Sequence, residues 1–169
     1  GGAGALTRLD AARRRTTLPG DLVLLPELCL TGYVSPLGSF DLTRFAEGRA
    51  GPTATALSVL ARTHEIVLVG PLVERDGEAL YNSLLAFGPS GEALFSYRKR
   101  HPWTPETWAT PGDGGLPLIS IGALRITACI CFDIHFVEQD AAEVLKAADV
   151  LLFPSAWVET QDSRASHLT

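Results

Sequence analysis

A glutamate, a lysine and a cysteine stand at three separated points of this chain, each where an apolar run gives way to polar or turn residues. Glu27 closes the run in "DLVLLPELCLTGY", Lys99 lies in "YRKRHPW", and Cys131 lies in "CICFDIHF". Together they offer a carboxylate base, a fixed cation and a thiol nucleophile. Brought to one place, they suit the opening of an amide or nitrile C–N bond through a thioester. The base takes the thiol proton, the thiolate attacks carbon, and the cation holds the developing negative charge.

Each residue also has a plainer reading. A free cysteine in an apolar strand is commonly inert core, and Cys29 (among leucines) and Cys129 are expected to be that. Cys131 differs because Phe132 and Asp133 follow at once and lead into a helix. A thiol between a strand end and a helix start meets unpaired backbone N–H groups, which favour the thiolate and can cradle an oxyanion. The N–H of Phe132 is the expected oxyanion donor. Glu27 follows Pro26 with no polar neighbour on either side, which is hard to reconcile with a solvated surface; removed from water, it becomes a usable base for a thiol. Lys99 alone would be a solvated strand-end lysine, and Glu106, between Pro105 and Thr107, a surface carboxylate. If Lys99 is functional, Glu106 can hold its ammonium. Tyr33, Phe132 and Trp157 are candidate pocket walls, and each could equally be core packing.

These residues need a scaffold, and the hydrophobic pattern outlines one. Residues 4–15 have helical spacing, with Leu6, Leu9 and Ala12 on one side, and 51–64 read as a second helix with Pro52 suited to its first turn. "DLVLL", "EIVLVGPLVE" and "DVLLF" are continuous apolar runs, the pattern of strands buried on both faces. Asp76-Gly77 and Pro89-Ser90-Gly91 turn the chain through "ALYNSLLAF" and "EALFSYRK" as antiparallel partners. "LPLISI" and "LRITACIC" are strands joined at Gly122, the latter running through Cys131, so that Cys129 and Cys131 share a face. "VEQDAAEVLKAA" is an amphipathic helix. The segment from Arg100 to Gly115, rich in Pro, Trp, Thr and Gly, is a loop long enough to be functional. Helices alternating with buried strands indicate a layered α/β domain. Glu27, Cys131 and the "PSAW" loop all follow carboxyl ends of strands, where ligands bind in open α/β sheets.

Composition narrows the field. With 169 residues, 46% of them hydrophobic, the chain can form one domain, residues 1–169, around a buried core. A net charge of −5 argues against nucleic-acid binding, and Arg13, Arg14 and Arg15 read as a solvated helix end. No run approaches the ~20 apolar residues of a membrane span and no secretory h-region opens the chain, so a cytoplasmic place is expected. Three cysteines without a Cys-x-x-Cys pair, and four scattered histidines, suit a reducing compartment and give no zinc-ligand spacing. No metal and no other cofactor are expected. The absence of methionine, the opening "GGAGAL" and the ending "RASHLT", in what reads as an opening helix, suggest a fragment cut at both ends.

Four blocks in order resemble the nitrilase superfamily, the carbon–nitrogen hydrolases. "DLVLLPELCLTGY" resembles the family's glutamate motif, "YNSLLAFGPSGEALFSYRKRH" the hairpin to its catalytic lysine, "ITACICFDIHFVE" its nucleophile motif, and "ADVLLFPSAW" the strand and pocket loop that come next. The resemblance implies Glu27 as general base, Lys99 as electrostatic stabiliser, Cys131 as nucleophile and, with a small length adjustment, Glu106 as the second glutamate. It implies an α-β-β-α sandwich lacking its first strand and its C-terminal part, a small-molecule amide substrate, and homodimers or larger homo-oligomers at full length. Asp133 after Phe132 favours amidase chemistry over nitrile hydrolysis, since the nitrilases proper carry Trp-Glu after the cysteine. "CFDIHF" is similar to amidases acting on pantetheine or biotin amides and to omega-amidases. Two rivals stand beside this reading: a catalytically silent binding or assembly module of the same fold, and a papain-like protease using His135 or His101. His135 is too near Cys131 in sequence to face it easily, and no papain-type motif is present.

Overall fold

The computed structural model describes residues 4–8, 10, 11, 20–34 and 38–157. Leu9, Ala12, the three consecutive arginines and the expected helix at the end of the chain lie outside these. Within them, one sheet has the order β1 (Leu22–Leu24), β2 (Val67–Asp76), β3 (Ala79–Phe87) and β4 (Ala93–Arg98). A second has the order β5 (Leu118–Ile121), β6 (Leu124–Ala128) and β7 (Val150–Leu152). Helix α1 (Pro52–His64) covers the first sheet and α2 (Val137–Ala147) packs on β6, giving an α-β-β-α sandwich.

The period-2 geometry of β2 explains the layers. Val67 and Val69 point into a core completed by Leu84, Ala86 and Tyr97 from their own sheet, by Ile126, Ala128 and Leu152 from the second, and by Ile130 just beyond β6. Leu68 and Leu72 point the other way, into a cluster with Ala54, Leu57 and Ala61 of α1. A strand buried on both faces is expected to be apolar, as β2 is from Val67 to Val73. Helix α1 starts with Pro52 in its first turn and ends at Glu65 in a left-handed cap whose N–H closes on the Ala61 and Arg62 carbonyls. Leu57 sits directly over Gly70, where a Cβ would lie 2.9 Å from its methyl groups.

Strand directions decide where the chemistry can gather. β1 and β2 are parallel; β2, β3 and β4 are successively antiparallel, so β1 and β4 run the same way. β6 and β7 are also parallel. The ends of β1 and β4 therefore share one edge of the first sheet, and those of β6 and β7 one edge of the second.

Three expectations need correction. β1 and β7 are short and mostly half-buried, because each is an edge of its sheet among the described residues. β6 stops at Ala128, and Cys131 opens a 3-10 helix, Cys131–His135, rather than ending the strand. Cys129 and Cys131 consequently do not share a strand face. Residues 100–115 form an irregular segment as expected, but it is pinned: the N–H of Thr110 bonds the Leu80 carbonyl at 2.7 Å and that of Gly112 the Lys99 carbonyl at 2.8 Å. Glycine is required at Gly112, since a Cβ would meet the Arg98 carbonyl oxygen at 2.4 Å.

Candidate active site

Glu27 is placed by the turn that ends β1. The Leu25 N–H still bonds the Val69 carbonyl, after which the chain turns through Leu28, at φ +50°, and the Gly32 N–H closes on the Leu28 carbonyl at 2.8 Å. Leu28 and Leu30 drop into two different clusters. Cys29 between them is turned outward and exposed, contrary to its expected place in the core. Glu27 points inward and is 2% exposed.

Lys99 directly follows β4, its N–H continuing the ladder to the Asn82 carbonyl at 2.8 Å. Its side chain is fully buried, and its ammonium lies 2.8 Å from Glu27 Oε1 and 2.7 Å from Glu106 Oε1. Burial works against this charge, but the two carboxylates outweigh it and hold the ammonium above its ordinary pKa. Two of its three N–H donors are thus engaged, and the third remains for a ligand. Glu106, expected on the surface by default, is buried instead, because the pinned loop folds it onto Lys99. Its Oε1 also accepts from the Tyr33 hydroxyl at 2.6 Å, while its buried Oε2 has no partner among the described residues.

Cys131 is 8% exposed and has φ +46°, a left-handed conformation uncommon outside glycine. Such local strain, worth of order 1–3 kcal/mol, persists only where the surroundings impose it. Here the Cys131 N–H is bonded to the Pro154 carbonyl at 3.0 Å, and the Asp133 carboxylate clamps the turn. Burial and the neighbouring Glu27 push the thiol pKa up; the Ser155 hydroxyl and Lys99 pull it down. Glu27 lies near enough to the thiol to oppose its ionisation, so carboxylate, ammonium and thiol share one site. Cys129 is fully buried, and burial followed by the nearby Asp133 charge pushes its thiol up to about 12. That is the inert core cysteine expected.

Asp133 links the Cys131 turn to the Lys99 segment. Its carboxylate accepts from the N–H groups of Ile130 (3.1 Å), Arg100 (3.1 Å) and His101 (2.8 Å) and from the Tyr97 hydroxyl (2.8 Å). Replacing it by alanine strands four donors, three of them backbone groups. We expect Asp133→Ala to destabilise the fold by about 3 kcal/mol, read as a lower midpoint in denaturant unfolding.

Of the remaining sequence candidates, Phe132 follows Cys131 and packs its ring edge-on against His135 and Phe136. Tyr33 stacks on Trp103 and meets Phe40 edge-on. Trp157 is 56% exposed beyond Ala156. Sequence reasoning passed over Asn82, whose Nδ2 donates to Glu27 Oε1 at 2.9 Å, and Ala156, whose N–H donates to Glu27 Oε2 at 2.9 Å. It also passed over Ser155. Asn82 had a signal: an amide inside "LYNSLLAF" must find a buried partner. A backbone N–H such as that of Ala156 has none. Among the described residues no group of three or more His, Cys, Asp and Glu side chains could hold a metal ion, and no helix is long and apolar enough to cross a membrane.

A buried carboxylate, ammonium and thiol gathered at the strand ends of an α-β-β-α sandwich define a class of site suited to cysteine-based acyl transfer. Residues 5–169 match the model of the carbon-nitrogen hydrolase family, and the chain belongs to it. It is 35% identical over 145 residues to a nitrilase of Pyrococcus abyssi, covering 85% of this chain and 55% of that protein. A formamidase of Bacillus cereus is 33% identical, covering 89% of this chain and 46% of that protein. The chain thus spans about half the length of these relatives. Among solved structures it resembles an amidase from Nesterenkonia sp., with a TM-score of 0.77, 24% identity, and coverage of 97% of this chain and 63% of that one.

Proposed function

We propose that the full-length protein hydrolyses a small amide through a thioester on Cys131. One observation carries this reading: the buried Lys99 ammonium lies 2.8 and 2.7 Å from Glu27 and Glu106, and the Ser155–Ala156 segment bonds both Cys131 Sγ and Glu27. Three charged groups are costly to bury together unless they are matched. Here one ammonium bridges both carboxylates beside the thiol.

Glu27 takes the proton from Cys131, and the thiolate adds to the amide carbonyl carbon. The carbonyl electron pair moves to oxygen, which the third Lys99 N–H and the Phe132 N–H hold, each such donor being worth roughly 3 kcal/mol. Glu106 Oε2 accepts an N–H of the amide and fixes its face. The intermediate collapses, the C–N bond breaks, and Glu27 returns its proton to the departing amine. Glu27 then takes a proton from water, whose oxygen attacks the thioester. Collapse releases the acid and the thiolate, which recovers the proton from Glu27. Tyr33 and Trp157 are assigned to the walls of the acyl pocket. A small amide as substrate is supported by the formamidase and amidase among the relatives.

The test is to catch the acyl group. The full-length protein, mixed with a panel of small amides and quenched in acid, should gain the acyl mass on the Cys131 peptide within the first turnover. Turnover of an amide with no such adduct, and no conversion to hydroxamate by added hydroxylamine, would end the thioester scheme.

A further inference from the structure

Three consecutive residues beyond β7 reach both the nucleophile and the base. The Pro154 carbonyl accepts the Cys131 N–H at 3.0 Å, the Ser155 hydroxyl donates to Cys131 Sγ at 3.2 Å, and the Ala156 N–H donates to Glu27 Oε2 at 2.9 Å. The outer two bonds use backbone groups and anchor the segment at both ends. The middle one uses a side chain and touches the reacting atom. With its neighbours anchored, the Ser155 hydroxyl is held in place relative to the sulfur.

We propose that Ser155 is a further catalytic residue, its hydroxyl donating to Cys131 Sγ and stabilising the thiolate both as attacking and as leaving group. This rests on Cys131 being the nucleophile of the proposed reaction. A hydrogen bond to a charged acceptor is about twice as strong as one to a neutral acceptor. The hydroxyl therefore favours the ionised sulfur over the thiol, and over the neutral thioester that forms from it. Ser155 keeps its own proton throughout; the proton leaving sulfur goes to Glu27. In deacylation the same bond strengthens as charge returns to the departing sulfur, and a better-stabilised thiolate leaves faster.

The other groups around the thiol are Glu27 beyond β1, which opposes its ionisation, and Lys99 beyond β4, which favours it. Tyr33 and Cys129 also stand within electrostatic range of it. None of these is removed when Ser155 loses its oxygen. Ser155 is partly exposed, so truncating it to alanine leaves the packing intact.

The experiment follows alkylation of Cys131 by iodoacetamide across pH in the full-length protein, read on the Cys131 peptide by mass spectrometry so that Cys29 does not contribute. For Ser155→Ala the midpoint should rise by about one pH unit, with about tenfold slower labelling at any pH below both midpoints. Ser155→Thr, which keeps a hydroxyl, should return the midpoint to that of the unsubstituted protein. An unchanged midpoint in Ser155→Ala, or the same shift in both variants, overturns the proposal. The labelling readout does not depend on hydrolysis: if Cys131→Ala still hydrolysed amides, the functional reading would fail while the Ser155 shift could still be measured.

Discussion

Cys131→Ala in the full-length protein is expected to lower amide hydrolysis by about 10⁴-fold or more while leaving the fold in place. The activity loss follows from removing the only protein atom in the scheme that bonds to substrate carbon. Glu27, Lys99 and the Phe132 N–H remain, and binding with charge stabilisation alone accounts for whatever slow hydrolysis persists. The fold should survive for a local reason. The left-handed backbone of Cys131, φ +46°, is imposed by the Pro154 and Asp133 bonds and suits alanine no worse than cysteine. Loss of the sulfur leaves only the partly exposed Ser155 hydroxyl without its acceptor. Steady-state assay with the best amide of the panel, alongside a thermal melt, checks both halves. Activity within tenfold of the unsubstituted protein would remove Cys131 from the chemistry and, with it, the proposed function.

Lys99→Met should damage both stability and activity. The substitution fills similar space but leaves Glu27 and Glu106, both buried, aimed at a position that no longer carries a cation. Removing one partner of a buried, paired charge typically costs about 3–5 kcal/mol. Hydrolysis loses an oxyanion donor worth about 10²–10³-fold, and the thiol loses the cation that favours its ionisation. Denaturant unfolding checks the first effect and steady-state kinetics the second. A variant as stable as the unsubstituted protein at neutral pH would mean that the two carboxylates do not depend on Lys99 for their charge balance.

In the proposed reaction, Asn82, Ser155 and Asp133 support the carboxylate, the cation and the thiol. Asn82 bonds Glu27, Ser155 the Cys131 sulfur, and Asp133 the turn that carries Cys131. A reaction that develops negative charge in a buried space needs its donors fixed beforehand.

The sequence by itself determined the elements and the chemical candidates. The long apolar run "VLVGPLV" has no solvated face and forms a strand buried on both sides, whereas the short runs of β1 and β7 became half-buried sheet edges. Glu27 among apolar neighbours could not easily be a surface charge. Side-chain periodicity and desolvation are local properties, legible one segment at a time. The tertiary structure alone decided which residues meet. Lys99 and Glu106 were each ordinary as isolated residues and became a buried ion pair only when a pinned loop brought them within 2.7 Å. Cys29 looked buried because its neighbours are, yet the turn after β1 sends it outward. The stop of β6 at Ala128, the left-handed Cys131 and the bonds from Pro154, Ser155 and Ala156 depend on chain segments distant in sequence. Contacts of that kind are set by packing and backbone hydrogen-bond closure, which no single stretch of sequence contains.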